Sequence, residues 1–247
     1  MVSQQALLQK VSDYIKRNIH TFHDARLKCL QNTNLKVLIR KKNPYLFRAK
    51  DLNRADRLVA SLMEARLSSS EEELCGRFLE DLAIFVAQIN LGARKSSTQG
   101  IDLEYDTGTT RYLVAIKSGL NWGNSSQWKA LVQDFSNASR VLSQSTSVKQ
   151  VQAILGVCYG NAKTTIRKAF IKQMCGQAFW GLVSGHKDFY KIIVNQLGDK
   201  AKHRNEQFNI EKDKVINMLT KQLLTDFCDK NGNIKWDKLM EENSRNL

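Results

Sequence analysis

Two apolar runs, "YLVAIK" at 112–117 and "VQAILGVCYG" at 151–160, constrain this chain more than any other feature. Each is too short for a helix and apolar at consecutive positions, as expected for a strand buried on both faces. Between them, from Ser125 or Ser126 to about Leu142, the period becomes that of an amphipathic helix. Strand, helix and second buried strand make a βαβ crossover. A further strand, 100–105, pairs with 111–117 across "DTGTT", a turn-rich link. The fold class is therefore α/β, a central sheet flanked by helices.

Helices are expected on both sides of this core. Residues 3–31 have one apolar face built by Leu7, Leu8, Val11, Tyr14, Ile15 and Ile19. A short helix covers 53–66. Another begins at "SSSEEEL" with a serine cap and an acidic first turn, and stops at Gly92. On it Glu73, Gly76, Arg77 and Glu80 share one face. Glu71 and Glu72 serve the helix dipole, but Glu80 lies mid-helix beside Leu79, Leu82 and Ala83, where a carboxylate is either salt-bridged or functional. After a basic stretch, 163–172, come helices at about 187–197 and 205–227. No linker or repeat interrupts the chain, so one domain over 1–247 is expected: N-terminal helices and a basic arm (1–66), a core (67–160) and a C-terminal helical part (161–247).

Charge narrows the partner. The 247 residues carry 38 Lys and Arg against 24 Asp and Glu, a net +14 that suits a polyanion, nucleic acid first. "KVLIRKKNPYLFRAK", 36–50, has six basic residues, no acidic one and the only proline, so no continuous helix crosses it. It reads as an arm along a phosphate backbone, with Lys41 and Lys42 as contacts, or as a connection whose Tyr45 and Phe47 pin it to the core. No apolar run is long enough for a membrane span, no signal-peptide core is visible, and five scattered cysteines fit free thiols of a reducing compartment; the cytoplasm is the expected location. His20 and His23 have no further ligand at metal spacing and read as solvated or stacked. "DKNGNIKW" mimics a calcium loop, but Ile234 stands where glycine is required and Met240 where glutamate is, so it is a turn.

The chemistry gathers at the strand ends. Phosphodiester hydrolysis needs a cation held by carboxylates beside the scissile phosphate, and a positive charge to meet the developing one. Alternation puts Asp102 and Glu104 on one face of the first strand and Ala115 with Lys117 on one face of the second, with Ile116 turned inward. Asp102, a turn and then "AIKSG" resemble the PD-(D/E)XK nuclease core. The surroundings, "KNPYLFRAK", "SSSEEELCGRFLEDLAIFV", "RKSSTQGIDLEY", "IKSGLNWGNSSQ" and "CGQAFWGLVSG" in this order, resemble type II restriction endonucleases that cut GGNCC-centred duplex sites. The similarity spans roughly 36–200.

The resemblance implies a PD-(D/E)XK fold with extra terminal helices, and Mg2+-dependent cutting of double-stranded DNA by a homodimer, with Mn2+ able to substitute. A companion DNA methyltransferase would protect the host. It makes Asp102 a metal ligand and Lys117 the motif lysine. The Ile116 carbonyl is a further metal ligand, and Glu80, or Glu73, is the helix carboxylate. DNA contacts fall to Arg94 and Lys95, and to the polar loop of Ser118, Asn121, Trp122, Asn124, Ser125, Ser126 and Gln127, whose serines also cap the next helix. Lys163, Arg167 and Lys168 either reach DNA or line a solvated helix face. Ala115 departs from the motif, which has a carboxylate there. Three explanations stand: Glu104 or Glu80 has taken over, the chain is an inactivated variant, or it binds DNA without cutting. A structure-selective repair nuclease is a further reading.

Overall fold

The computed structural model describes residues 3–143 and 150–245, without the side chains at 143 and 199–203. The chain divides into two compact units, Met1–Ile19 with Cys75–Asp199 and His20–Leu74 with Lys200–Leu247. The helices are α1 (Gln4–Gln31), α2 (Leu35–Lys41), α3 (Pro44–Ala49), α4 (Ala55–Leu91), α5 (Ser125–Ser143), α6 (Gln177–Ser184), α7 (Phe189–Phe227) and α8 (Trp236–Ser244). The strands are β1 (Arg94–Lys95), β2 (Leu103–Thr107), β3 (Thr110–Lys117), β4 (Gln150–Val157), β5 (Thr165–Arg167) and β6 (Ile171–Cys175).

The first unit holds one mixed sheet of order β1-β2-β3-β4-β6-β5. β2 and β3 form an antiparallel hairpin, with Gly108 at φ +59 in its turn. β3, β4 and β6 run parallel, so Lys117, Val157 and Cys175 stand in one row at their C-terminal ends. Alternation builds two cores from the continuous apolar runs. Val114, Ile116, Ile154 and Cys158 pack with Leu7, Val11 and Ile15 of α1, Phe78, Leu82 and Val86 of α4, and Phe179 of α6. Leu113, Ala115, Ala153, Leu155 and Val157 pack on the other face with Leu131, Phe135 and Ala138 of α5. Helices on both faces are what a parallel sheet requires, since neither side of its strands tolerates water. At Gly156 any Cβ would lie 2.1 Å from Phe179 Cε2, so the missing side chain is what seats the aromatic ring.

The second unit is helical. Leu35, Leu38 and Ile39 of α2, Phe47 of α3, Leu58, Leu62 and Met63 of α4, Leu219, Leu223 and Phe227 of α7 and Leu239 of α8 enclose its core. The segment 36–50 is therefore two short helices rather than an extended arm. Asn34 and Asn43 cap them through their side chains, and Pro44 sits in the first turn of α3, where its missing N–H costs nothing. Phe47 is buried, whereas Tyr45 is 68% exposed, so only one of the two aromatics pins the segment.

Three expectations about helix ends change. The serines at 68–70 interrupt nothing: α4 runs through them, and Ser69 and Ser70 donate back to the carbonyls of Ala65 and Leu67. Glu71 is consequently a mid-helix residue, ion-paired with Arg26 rather than serving a helix end. The two expected C-terminal helices are one, α7. The basic stretch 163–172 is a β-hairpin, not a helix face. Asp229 Oδ1 accepts from the amides of Asn231 and Asn233 at 2.9 and 2.8 Å, so "DKNGN" folds as a turn around its own aspartate.

Candidate active site

The β2–β3 end fixes Asp102 through its own backbone. Its N–H donates to the Val114 carbonyl at 2.9 Å, and its carboxylate Oδ2 accepts the Ile116 N–H at 2.6 Å. Ladder pairing of β2 with β3 ends at Leu103 opposite Val114, so no residue of β2 faces Ile116. In a strand the N–H and C=O of one residue point the same way; the Ile116 carbonyl therefore points past the end of β2, on the side of the Asp102 carboxylate. Lys117 is one residue further, half-buried, with Nζ 5.6 Å from the centre of the Trp122 ring. Trp122 in turn leans on Trp128 of α5 at 4.9 Å between ring centres.

Glu80 arrives from α4. The helix passes close to the end of β3 at Gly76, where a Cβ would lie 3.0 Å from Ser118 Cβ. One turn on, Glu80 stands within electrostatic reach of both Asp102 and Lys117. Burial raises the Glu80 pKa above the usual carboxylate range and the Asp102 charge raises it further, while Lys117 opposes both. Asp102 is raised too, by burial, against the Ile116 N–H, Lys117 and Lys95. Two half-buried carboxylates, both raised chiefly by burial and one of them further by the other, beside one lysine form a site short of positive charge.

The other expected carboxylates are elsewhere. Glu104 accepts from Arg94 Nε at 2.7 Å, so two expected site residues, one catalytic and one DNA-binding, are partnered with each other. Glu73 lies in the helical unit, on the wall of a hollow shared with Lys41, Lys42 and Arg66. Lys42 itself donates to the Ala65 carbonyl at 2.8 Å, whereas Lys41 is exposed. Ala115 is 0% exposed, sealed among Leu113, Leu131 and Phe135 under α5. Its position on the Lys117 face is as expected, and Asp102 stands opposite it on the adjacent strand, yet the other side chains around it are apolar core.

In the loop after β3, Asn124 rather than a serine caps α5. Its Oδ1 accepts the amides of Ser126 and Gln127 at 3.0 Å each, and Gln127 Oε1 accepts the Asn124 amide at 2.9 Å. This reciprocal box was legible as Asn-x-x-Gln. It leaves Ser125 and Ser126 as exposed residues of the first turn, beside exposed Asn121. Away from this site, His23 stacks edge-on against Phe22 at 5.2 Å, and burial lowers its pKa.

The family model described as "Type II restriction endonuclease EcoO109I" matches residues 9–205. The chain belongs to that family. No curated protein matches it. As a restriction endonuclease it belongs to a class of site-specific DNA-cleaving proteins, and the mixed sheet between helices is the expected nuclease fold. Among the described residues no three His, Cys, Asp or Glu side chains gather as a metal cluster, and no helix is long and apolar enough to cross a membrane. Mg2+ needs no such cluster: it takes one or two carboxylates and completes its shell with water and substrate phosphate. Asp102 and Glu80, with the Ile116 carbonyl beside them, fit that demand.

Proposed function

We propose that this endonuclease hydrolyses both strands of double-stranded DNA at a GGNCC-like palindrome, as a homodimer dependent on Mg2+, with Mn2+ able to substitute. The observation that carries the reading is the meeting of Asp102, Glu80 and Lys117 at the C-terminal end of β3, brought from three separate stretches of chain. Asp102 and Glu80 would hold the ion, with the Ile116 carbonyl as a third oxygen. The bound ion would polarise the scissile phosphate and lower the pKa of a water. Lys117, braced by Trp122, meets the charge that grows on the phosphate, and the Ile116 amide keeps the Asp102 carboxylate oriented. Ser118, Asn121, Ser125 and Ser126 offer uncharged donors and acceptors to the DNA backbone and base edges. A two-fold site calls for two copies of the chain, one centre per strand. On this reading Glu80 supplies the carboxylate that Ala115 lacks.

The test is digestion of plasmid and phage DNA with and without Mg2+, beside Asp102→Asn, Glu80→Gln and Lys117→Ala. Discrete Mg2+-dependent fragments from the parent, and rates at least about 100-fold lower in each variant, are expected. Tight duplex binding without any strand break, unchanged in Asp102→Asn, would favour a DNA-binding protein that does not cut.

A further inference from the structure

Between Asp134 and Asp188 the sequence holds no acidic residue at all, yet it holds seven Lys and Arg. Four of these, Lys163, Arg167, Lys168 and Lys172, fall on or beside the β5–β6 hairpin, the sheet edge farthest from β1. Among the described residues none of the four forms an ion pair; Arg167 Nε donates to the neutral Gln173 Oε1 at 3.3 Å. Ile166 and Phe170, 59% and 37% exposed, stand between them. The tip is made by Lys168 and Ala169 at φ 49 and 70, a left-handed turn that asparagine and glycine would form without strain.

Because β5 runs antiparallel to β6, Lys163 lies nearest the row that ends in Lys117, while Arg167 and the tip lie beside Ile171, four residues before Cys175 and about 13 Å down the strands from that row. Arg167 pairs with Ile171 and Thr165 with Gln173, so Arg167 shares the sheet face of Ile171 and Cys175. That is the face Ala115 lines, and the one on which Lys117 emerges. From Lys117, three strand spacings of about 4.8 Å lead across Val157 and Cys175 to Lys163 on the approach of β5, on the order of 14 Å, and the further offset along the strands puts Arg167 at about 19 Å. The major groove is about 12 Å wide, so a duplex with one phosphate at Lys117 presents others at this reach. A second copy of the chain is a poor occupant: β5 has three residues, and its flanking cations would meet an equally cationic edge.

We infer that the β5–β6 hairpin is a DNA clamp, in which Lys163, Arg167 and Lys168 hold backbone phosphates along the sheet edge beside the scissile bond. The inference rests on the nuclease reading above and adds a surface to it. Removing phosphate contacts lowers the salt dependence of binding by about 0.9 per contact in the slope of log affinity against log salt.

Binding is measured in metal-free buffer, from 50 to 300 mM salt, with a fluorescent duplex of about 30 base pairs carrying GGNCC. Arg167→Ala/Lys168→Ala is expected to lower the slope by about 1.8 and to weaken binding roughly 60-fold at 0.1 M salt. Lys163→Ala, on the exposed approach to β5, is expected to lower it by about 0.9 even if the double variant folds poorly. With Mg2+, KM for plasmid rises and kcat holds. Lys230→Ala/Lys238→Ala, in the helical unit, leaves the slope unchanged. If the parent binds and cuts but the hairpin variants keep its slope and KM, the clamp is overturned while the nuclease stands. If the parent neither binds nor cuts duplex DNA, the nuclease reading falls and takes the clamp with it.

Discussion

Ala115→Glu places the family's expected carboxylate back in the sequence, and the structure predicts that it harms the protein. Ala115 is 0% exposed and packed in the core of Leu113, Leu131 and Phe135, and its one polar neighbour of the site is the buried Asp102 carboxylate on the adjacent strand, a like charge. A glutamate held neutral there at pH 7 must take up a proton against an unfolded pKa of about 4.3. At about 1.4 kcal/mol per unit, that costs about 3.7 kcal/mol. Three added heavy atoms beyond a methylene in a packed core cost about 1–3 kcal/mol more. The sum, about 5–7 kcal/mol, is comparable with the whole stability of an ordinary domain, and implies a melting point lower by roughly 10–20 °C. The protonation part shrinks by about 1.4 kcal/mol per pH unit on acidification, so the deficit at pH 5 is smaller by nearly 3 kcal/mol. Thermal unfolding followed by circular dichroism at pH 5 and 7.5, beside plasmid digestion, measures both. A variant that melts within about 3 °C of the parent and cuts faster with Mg2+ would falsify this packing argument, because the new carboxylate would then have reached the metal.

Glu80 and Asp102 both have raised pKa values, chiefly from burial, so the metal-free protein is stabilised by their protonation: that contribution is whole below the unfolded values and is lost as pH rises through the folded ones. Glu80→Gln is therefore expected to raise the melting point of the metal-free protein at pH 7.5 by a few degrees, with no gain near pH 4, while cleavage collapses. In the metal-free parent both carboxylates should titrate above the ordinary carboxylate range in carboxyl-carbon NMR; values at or below that range contradict the burial argument. Gly156→Ala forces a methyl into the Phe179 ring, 2.1 Å from Cε2, and should cost about 3 kcal/mol in urea unfolding; a loss under 1 kcal/mol would show that the ring moves freely.

The sequence by itself determined what local periodicity can encode. Consecutive apolar residues at 111–117 and 151–157 made two buried strands, the changed period at 125–143 made the crossover helix, and "DTGTT" closed the hairpin before it. It also placed Asp102 and Lys117 at strand ends, because alternation is a property of the backbone alone. Tertiary structure decided the rest. The serines of α4 form a convincing start signal, yet Leu58, Leu62, Met63 and Leu67 before them and Phe78, Leu82 and Val86 after them are buried, and that packing carries the helix through. β5 and β6 were hidden because their short run is polar and basic; only the edge of an existing sheet, through Gln173 and Ile171, makes strands of them. Among Glu73, Glu80 and Glu104, spacing gave no choice. Gly76 against Ser118 brought Glu80 to the site, and Arg94 claimed Glu104. Which carboxylates meet depends on contacts distant in sequence, and no local rule reaches that far.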